Sequence, residues 1–176
     1  MPASPDLLPP DFSSPGEMPA AELLTLGALP VDRLRACARI PFRLLPTRAA
    51  LLDDFADRLL DEIAERNRRG EPTRLILPVG PVAQYRRVVE RSNREKISWR
   101  HVHVFGMDEF LDWQGRPVPA EHPLSFRGFI QRNVVEKLAP TLRPPDAQVV
   151  FPHPFRIDEI SERIQAAGGV DVCFGG

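Results

Sequence analysis

Val102-His103-Val104-Phe105-Gly106-Met107-Asp108-Glu109-Phe110 is an apolar run that ends abruptly in a glycine, with two adjacent carboxylates after it. A buried strand that delivers acids at its C-terminal end is a common way for α/β proteins to bring proton-transfer groups to a ligand crevice. On that reading a carboxylate here can shuttle a proton between adjacent carbons of a sugar. The same pair could simply open a solvated loop, and the spacing alone leaves both readings standing.

Working outward, the pattern alternates strands with helices. Thr47 is a good N-cap for a long helix over 48–69, with Leu51, Leu52, Phe55, Leu59 and Ile63 as its apolar stripe and Gly70 as its C-cap. Asp54–Arg58, Glu62–Arg66 and Glu65–Arg69 are i,i+4 pairs on its wet side. A short buried strand over 73–79 follows, then a turn at Gly80-Pro81 and a helix over 82–91. The next strand covers 98–105, a helix 123–138, a strand 148–151, a helix 157–167 and a last strand 170–174. This order predicts a three-layer α/β/α sandwich with a mostly parallel sheet covered on both faces. The last strand runs into Gly175-Gly176, where an α/β fold would place a functional loop. The domain is therefore expected to be incomplete at its C-terminus.

Proline punctuates the start of the chain: nine of the twenty fall in the first 46 residues. Residues 1–40 read as a proline-rich, largely disordered extension, with one short helix over 31–39 and ordered structure from about residue 41. With 176 residues, 43% of them hydrophobic, one domain with a real core is expected. A net charge of -1 and a pI near 6.4 give no footprint for nucleic acid or for an acidic membrane surface. No apolar stretch is long enough to span a bilayer, and the N-terminus has no signal-peptide pattern. Cys37 and Cys173 are isolated, which favours a reducing cytoplasm, and Cys173 reads as a buried thiol.

Other candidates are thinner. Gly80 follows the first strand, where backbone N–H groups and the next helix could meet a phosphate, but a tight strand-to-helix turn explains it equally. His101 and His103 alternate along a strand and could share a metal, yet no third ligand is evident. His122 could reach a ligand or could fix the entry of the following helix. Trp99, Phe126 and Phe129 read as core rather than as a stacking platform.

Three stretches together resemble the glucosamine-6-phosphate deaminase (isomerase) family. Ile97-Ser98-Trp99-Arg100-His101 leads into the apolar run and Met107-Asp108-Glu109, where the family has an aromatic, a basic residue and His before a strand ending Met-Asp-Glu-Tyr. Glu121-His122-Pro123-Leu124-Ser125-Phe126, with Arg132-Asn133 on the next helix, is similar to the family's acid-His-Pro-x-Ser-Tyr segment. Val172-Cys173-Phe174-Gly175-Gly176 looks like its strand into a Gly-rich catalytic loop. The resemblance runs from near Pro41 to Gly176 and makes residues 41–176 the N-terminal part of a NagB-like sugar-phosphate domain.

It implies conversion of an amino-sugar phosphate to a ketose phosphate and ammonia, with no metal and no redox cofactor. It implies Asp108 as the base between C2 and C1 and Glu109 as its support. Gly80, His122, Gly175 and Gly176 would lie on the substrate side. The expected partner is a small-molecule sugar phosphate, with a homo-oligomer left open.

There are departures. Val79 stands for the first Thr of the family's Thr-Gly-x-Thr-Pro loop, and Gly80 meets Pro81, which has no N–H to donate. Phe110 and Phe126 replace two tyrosines, and the family's Asp-Gly-His segment would fall beyond Gly176. The 176 residues alone are therefore expected to lack deaminase activity. Two alternatives remain: a 6-phosphogluconolactonase-like hydrolase, against which the missing Arg after Asp108-Glu109 counts, and a non-catalytic sugar-phosphate sensor, which the altered loop favours.

Overall fold

A computed structural model of the chain describes residues 19–175. The chain divides into two units, before and from Leu45. In the first, α1 (Ala20–Gly27) and α2 (Val31–Cys37) are short helices, and α2 buries no residue. α2 is the helix expected over 31–39; α1 was not anticipated. The disordered tail expected before residue 19 lies outside the described residues.

The second unit is an α/β domain. Its sheet has the order β3-β2-β1-β4, built from β1 (Thr73–Leu77), β2 (Val102–Gly106), β3 (Val149–Val150) and β4 (Val172–Cys173), all pairs parallel. Leu75 and Leu77 sit beside Val104 and Gly106, and Ile76 beside Cys173. Phe151 explains Gly106, because a Cβ at residue 106 would overlap its ring.

The helices are α3 (Arg48–Arg69), α4 (Gln84–Glu95), α5 (Phe126–Asn133) and α6 (Ile157–Ala166). α3 begins and ends as its sequence dictates: Thr47 Oγ1 accepts from the Ala50 N–H at 3.1 Å, and Gly70 closes it in the left-handed region at φ 69°. All three expected ion pairs form along it, at 2.9, 2.6 and 3.8 Å. Its buried face is Leu52, Ala56, Leu59, Leu60 and Ile63; Leu51, expected in that stripe, is exposed.

Residues of α3, α4 and α5 join β1 and β2 in the buried core, while α6 contributes none to it. The two faces differ in burial. Thr73, Leu75 and Leu77 of β1 are fully buried, while Arg74 and Ile76 on the opposite side are only half-buried, and α6 buries no residue. No described helix is long and apolar enough to cross a membrane.

Several element boundaries differ from expectation, and three of them have a clear local reason. The strand expected from residue 98 starts at Val102. Residues 99–102 form a turn in which the Val102 N–H donates to Trp99 O, while the buried Trp99 indole donates to Ser92 Oγ at 3.0 Å. The helix expected over 123–138 is confined to α5, because Ser125 caps its start and the chain breaks at Val134 into a 3₁₀ turn, Val135–Lys137. Arg143 then collects the Leu138 and Glu136 carbonyls at 2.9 and 2.7 Å. α4 runs on to Glu95, where Lys96 ends it at φ 58°.

Tyr85, the only tyrosine, is buried under this layer and its O–H donates to the Pro78 carbonyl. Burial pushes its phenol well above the ordinary range. The folded state thus holds the proton more tightly than the unfolded chain, so stability is untouched below about pH 10 and declines above it. Ultraviolet titration should show no tyrosinate until the protein unfolds. A normal step near pH 10 in a protein still folded by circular dichroism would contradict the burial.

Candidate functional site at the sheet's C-terminal edge

The strand order places a switch point between β1 and β4. β1, β2 and β3 step in one direction, and β4 returns to the far side of β1. Open α/β sheets bind ligands in the crevice outside the strand ends at such a point. Pairing continues to those ends: the Met107 N–H donates to Leu77 O at 3.2 Å and the Phe174 N–H to Ile76 O at 3.0 Å. The segments holding Asp108, Gly80 and Gly175 therefore leave three adjacent strands at one edge.

Asp108 and Glu109 have different surroundings. Asp108 is exposed and carries no hydrogen bond or ion pair among the described residues. Glu109 is half-buried and fully engaged. Its carboxylate accepts from the Phe126 N–H at 2.8 Å, the Arg127 N–H at 2.9 Å, Ser125 Oγ at 3.2 Å and the Phe110 N–H at 2.9 Å. Phe126 and Arg127 open α5, whose first N–H groups have no partners within the helix and whose dipole favours an anion. Ser125 Oγ in turn accepts from the Gly128 N–H at 3.0 Å. Glu109 thus clamps the loop after β2 to the start of α5.

His122 lies in the turn before α5, where its Nδ1 accepts from the Leu124 N–H at 3.2 Å. That bond fixes the helix entry and, in the neutral ring, puts the proton on Nε2. Gly80 is exposed, with open space where a Cβ would stand, and the Gly80–Pro81 peptide is cis. At the base of this loop Gln84 is fully buried, and neither its Oε1 nor its Nε2 has a partner among the described residues. Gly175 is exposed; Gly176 lies outside the described residues. Phe110 and Phe126, at the two positions expected to lack a tyrosine hydroxyl, meet edge to face at 4.9 Å.

Two expectations need correction. Cys173 is exposed rather than buried, because β4 pairs with β1 alone in the described sheet. His101 lies in the turn before β2 rather than on the strand with His103. His103 stacks on Phe105, and burial, with Arg74 and His101 adding to it, lowers its pKa. No group of three potential metal ligands gathers among the described residues. Sequence reasoning passed over Ser125 as a cap, although Ser before a helical pattern is a recognised signal. It also passed over Gln84, for which a helix-start glutamine gives no signal at all.

No family model matches the chain. It is similar to glucosamine-6-phosphate deaminase of Porphyromonas gingivalis, 30% identical over 127 residues that cover 66% of this chain and 46% of the relative. The Vibrio parahaemolyticus glucosamine-6-phosphate deaminase is 36% identical over 99 residues, covering 52% and 34%. A solved structure of a monomeric glucosamine-6-phosphate deaminase of the NagB superfamily shares the fold. The TM-score is 0.55 at 16% identity, over 72% of this chain and 51% of that one. The chain thus spans about half the length of the curated relative it matches over 127 residues.

Proposed function

We propose, from the premise that this chain is homologous over part of its length to the glucosamine-6-phosphate deaminases of the NagB superfamily, that it supplies the proton-transfer side of a sugar-phosphate site. The reaction is aldose–ketose isomerisation with deamination of an amino-sugar phosphate. Asp108 takes the proton from C2 of the open-chain sugar and returns it to C1. Water then hydrolyses the resulting C2 imine to the ketone and ammonia. The observation that carries this reading is the free, exposed Asp108 carboxylate beside the β1/β4 switch point, on a loop that its neighbour Glu109 holds still. In this reading residues 41–176 form the domain and residues 1–40 an extension. Gly80, Gly175 and Gly176 border the substrate, His122 turns Nε2 toward it, and the setting is cytoplasmic.

A second reading, a sugar-phosphate sensor without turnover, draws on specific observations. Pro81 removes a donor from the Gly80 loop, and the Phe110–Phe126 pair is apolar where hydroxyls would help. Deuterium exchange separates the two, because it needs the base and the open-chain sugar but neither imine hydrolysis nor ammonia release. In D₂O the protein should introduce deuterium at C2 of glucosamine 6-phosphate, seen by proton NMR, and Asp108→Asn should slow this at least about a hundredfold. Binding without exchange, unaltered in Asp108→Asn, would replace the enzyme reading with the sensor.

A further inference from the structure

A second concave site lies beyond α5, away from the switch point. It is a groove of about 240 Å³ lined by Arg127, His153, Arg156 and Arg163, with Glu109, Asp146 and Glu159 as its carboxylates. Val149, Phe151 and Ile160 give it an apolar floor. Asp108 does not line it, although its neighbour Glu109 does.

The three arginines and three carboxylates match in number but pair unevenly. Arg156 and Arg163 share one carboxylate, Glu159, at 3.1 and 3.7 Å. Arg127 has no ion-pair partner among the described residues. Glu109 is already held by three backbone N–H groups and a hydroxyl, so its lone pairs are occupied. The three guanidinium groups thus share the groove with three carboxylates, of which Glu159 alone lies within ion-pair distance of any of them. The side chains of Arg156 and Arg163 are 64% and 51% exposed, within reach of a ligand. His153 Nδ1 accepts from the Phe155 N–H at 3.3 Å, which leaves Nε2 as a donor in the neutral ring. Planar guanidinium forks match phosphate oxygens in pairs. The volume falls below the roughly 300–1,000 Å³ of drug-sized pockets, which suits a small anion.

We propose that this groove binds the phosphate of a small phosphomonoester, at a site separate from the Asp108 crevice. Glu159 acts there as the resident competitor: a phosphate entering the groove takes over the two guanidinium groups that Glu159 holds.

The test is an amide NMR titration of the protein at low ionic strength with inorganic phosphate, glucose 6-phosphate and glucose. The two phosphates should give saturable shifts at Arg127 and at residues 153–156, and glucose none. Replacing Arg156 and Arg163 together by Gln should weaken phosphate binding about tenfold or more, the worth of one or two charge-assisted hydrogen bonds. Glu159→Gln should tighten it, whereas a carboxylate that only braced the groove would weaken it when lost. Asp108→Asn should change nothing, so this result stands apart from the deaminase reading. Shifts centred on residues 78–84, an unsaturable response, an undiminished affinity in the double variant, or weaker binding in Glu159→Gln would each overturn the proposal.

Discussion

Glu109→Ala is expected to remove about 3 kcal/mol of folding stability, because several buried or helix-terminal donors lose their acceptor together. The Phe126 and Arg127 N–H groups, at 2.8 and 2.9 Å, are the first donors of α5 and have no carbonyl within the helix to turn to. Loss of a side-chain cap alone typically costs about 1 kcal/mol, and an anion at a partly buried helix N-terminus adds up to ~2 kcal/mol. Ser125 then makes matters worse. It is fully buried, and its hydroxyl proton goes to Glu109 while its oxygen caps Gly128. Without Glu109 that proton points into the protein with nothing to accept it.

Glu109→Gln keeps the volume and one carbonyl oxygen but turns an NH₂ toward N–H donors, so it should recover less than half of the loss. Urea unfolding gives the stability, and hydrogen exchange at residues 126–128 gives the locality. Faster exchange confined to that turn is expected. A variant within about 0.5 kcal/mol of the parent, the range of an ordinary surface substitution, would show that the clamp is not needed. If the clamp is needed, Glu109 serves the proposed reaction by holding the loop on which Asp108 stands.

How far the sequence reaches depends on the range of the interaction involved. α3 was legible at both ends because a Thr cap, an apolar stripe and a terminal Gly act within a few residues of each other. The strand after it, and the acid pair after β2, were legible for the same reason. The Glu109–Ser125 link was not, although both residues were in view. It joins positions 16 apart, and their meeting depends on how the intervening loop closes through Leu111–Pro117 and the His122 turn. The pair read as two candidate catalytic groups; the fold makes one of them a helix anchor. The start of β2 was misjudged because β-branched and aromatic residues fit a strand and a turn equally well, and Trp99 is drawn out of the strand by a Ser92 hydroxyl on α4. Cys173 was misjudged because an apolar run signals burial only where another layer covers it, and no second neighbour covers β4 among the described strands.

Asp171→Ala should cost about 2 kcal/mol and loosen β4 before the rest of the sheet. β4 is only two residues long, and Asp171, just before it, carries much of its attachment. Asp171 Oδ2 accepts from the Arg74 N–H at 2.8 Å, and the Asp171 N–H donates back to Arg74 O at 2.9 Å. Oδ1 lies 3.0 Å from Arg66 Nη2 on α3, and Oδ2 lies 3.2 Å from Arg74 Nε as an ion pair. The three side chains are 12%, 17% and 18% exposed for Asp171, Arg66 and Arg74. Breaking a fully buried pair costs about 3–5 kcal/mol; this partial exposure, and the partners that remain, bring the figure down. Arg66 keeps Glu62 at 2.6 Å, and Arg74 keeps the Gly168 carbonyl at 2.6 Å. Arg74 is left without a carboxylate, and its backbone N–H without an acceptor.

Asp171→Asn retains an acceptor for that N–H and should lose about half as much. Hydrogen exchange at residues 172–174 should rise more than at Leu75 or Val104, whose positions are held by the long β1–β2 pairing. Equal acceleration across all strands would mean that Asp171 supports the whole domain. No acceleration at β4 would mean that the two-residue pairing holds the strand by itself, and that the Gly175 side of the crevice does not depend on this carboxylate.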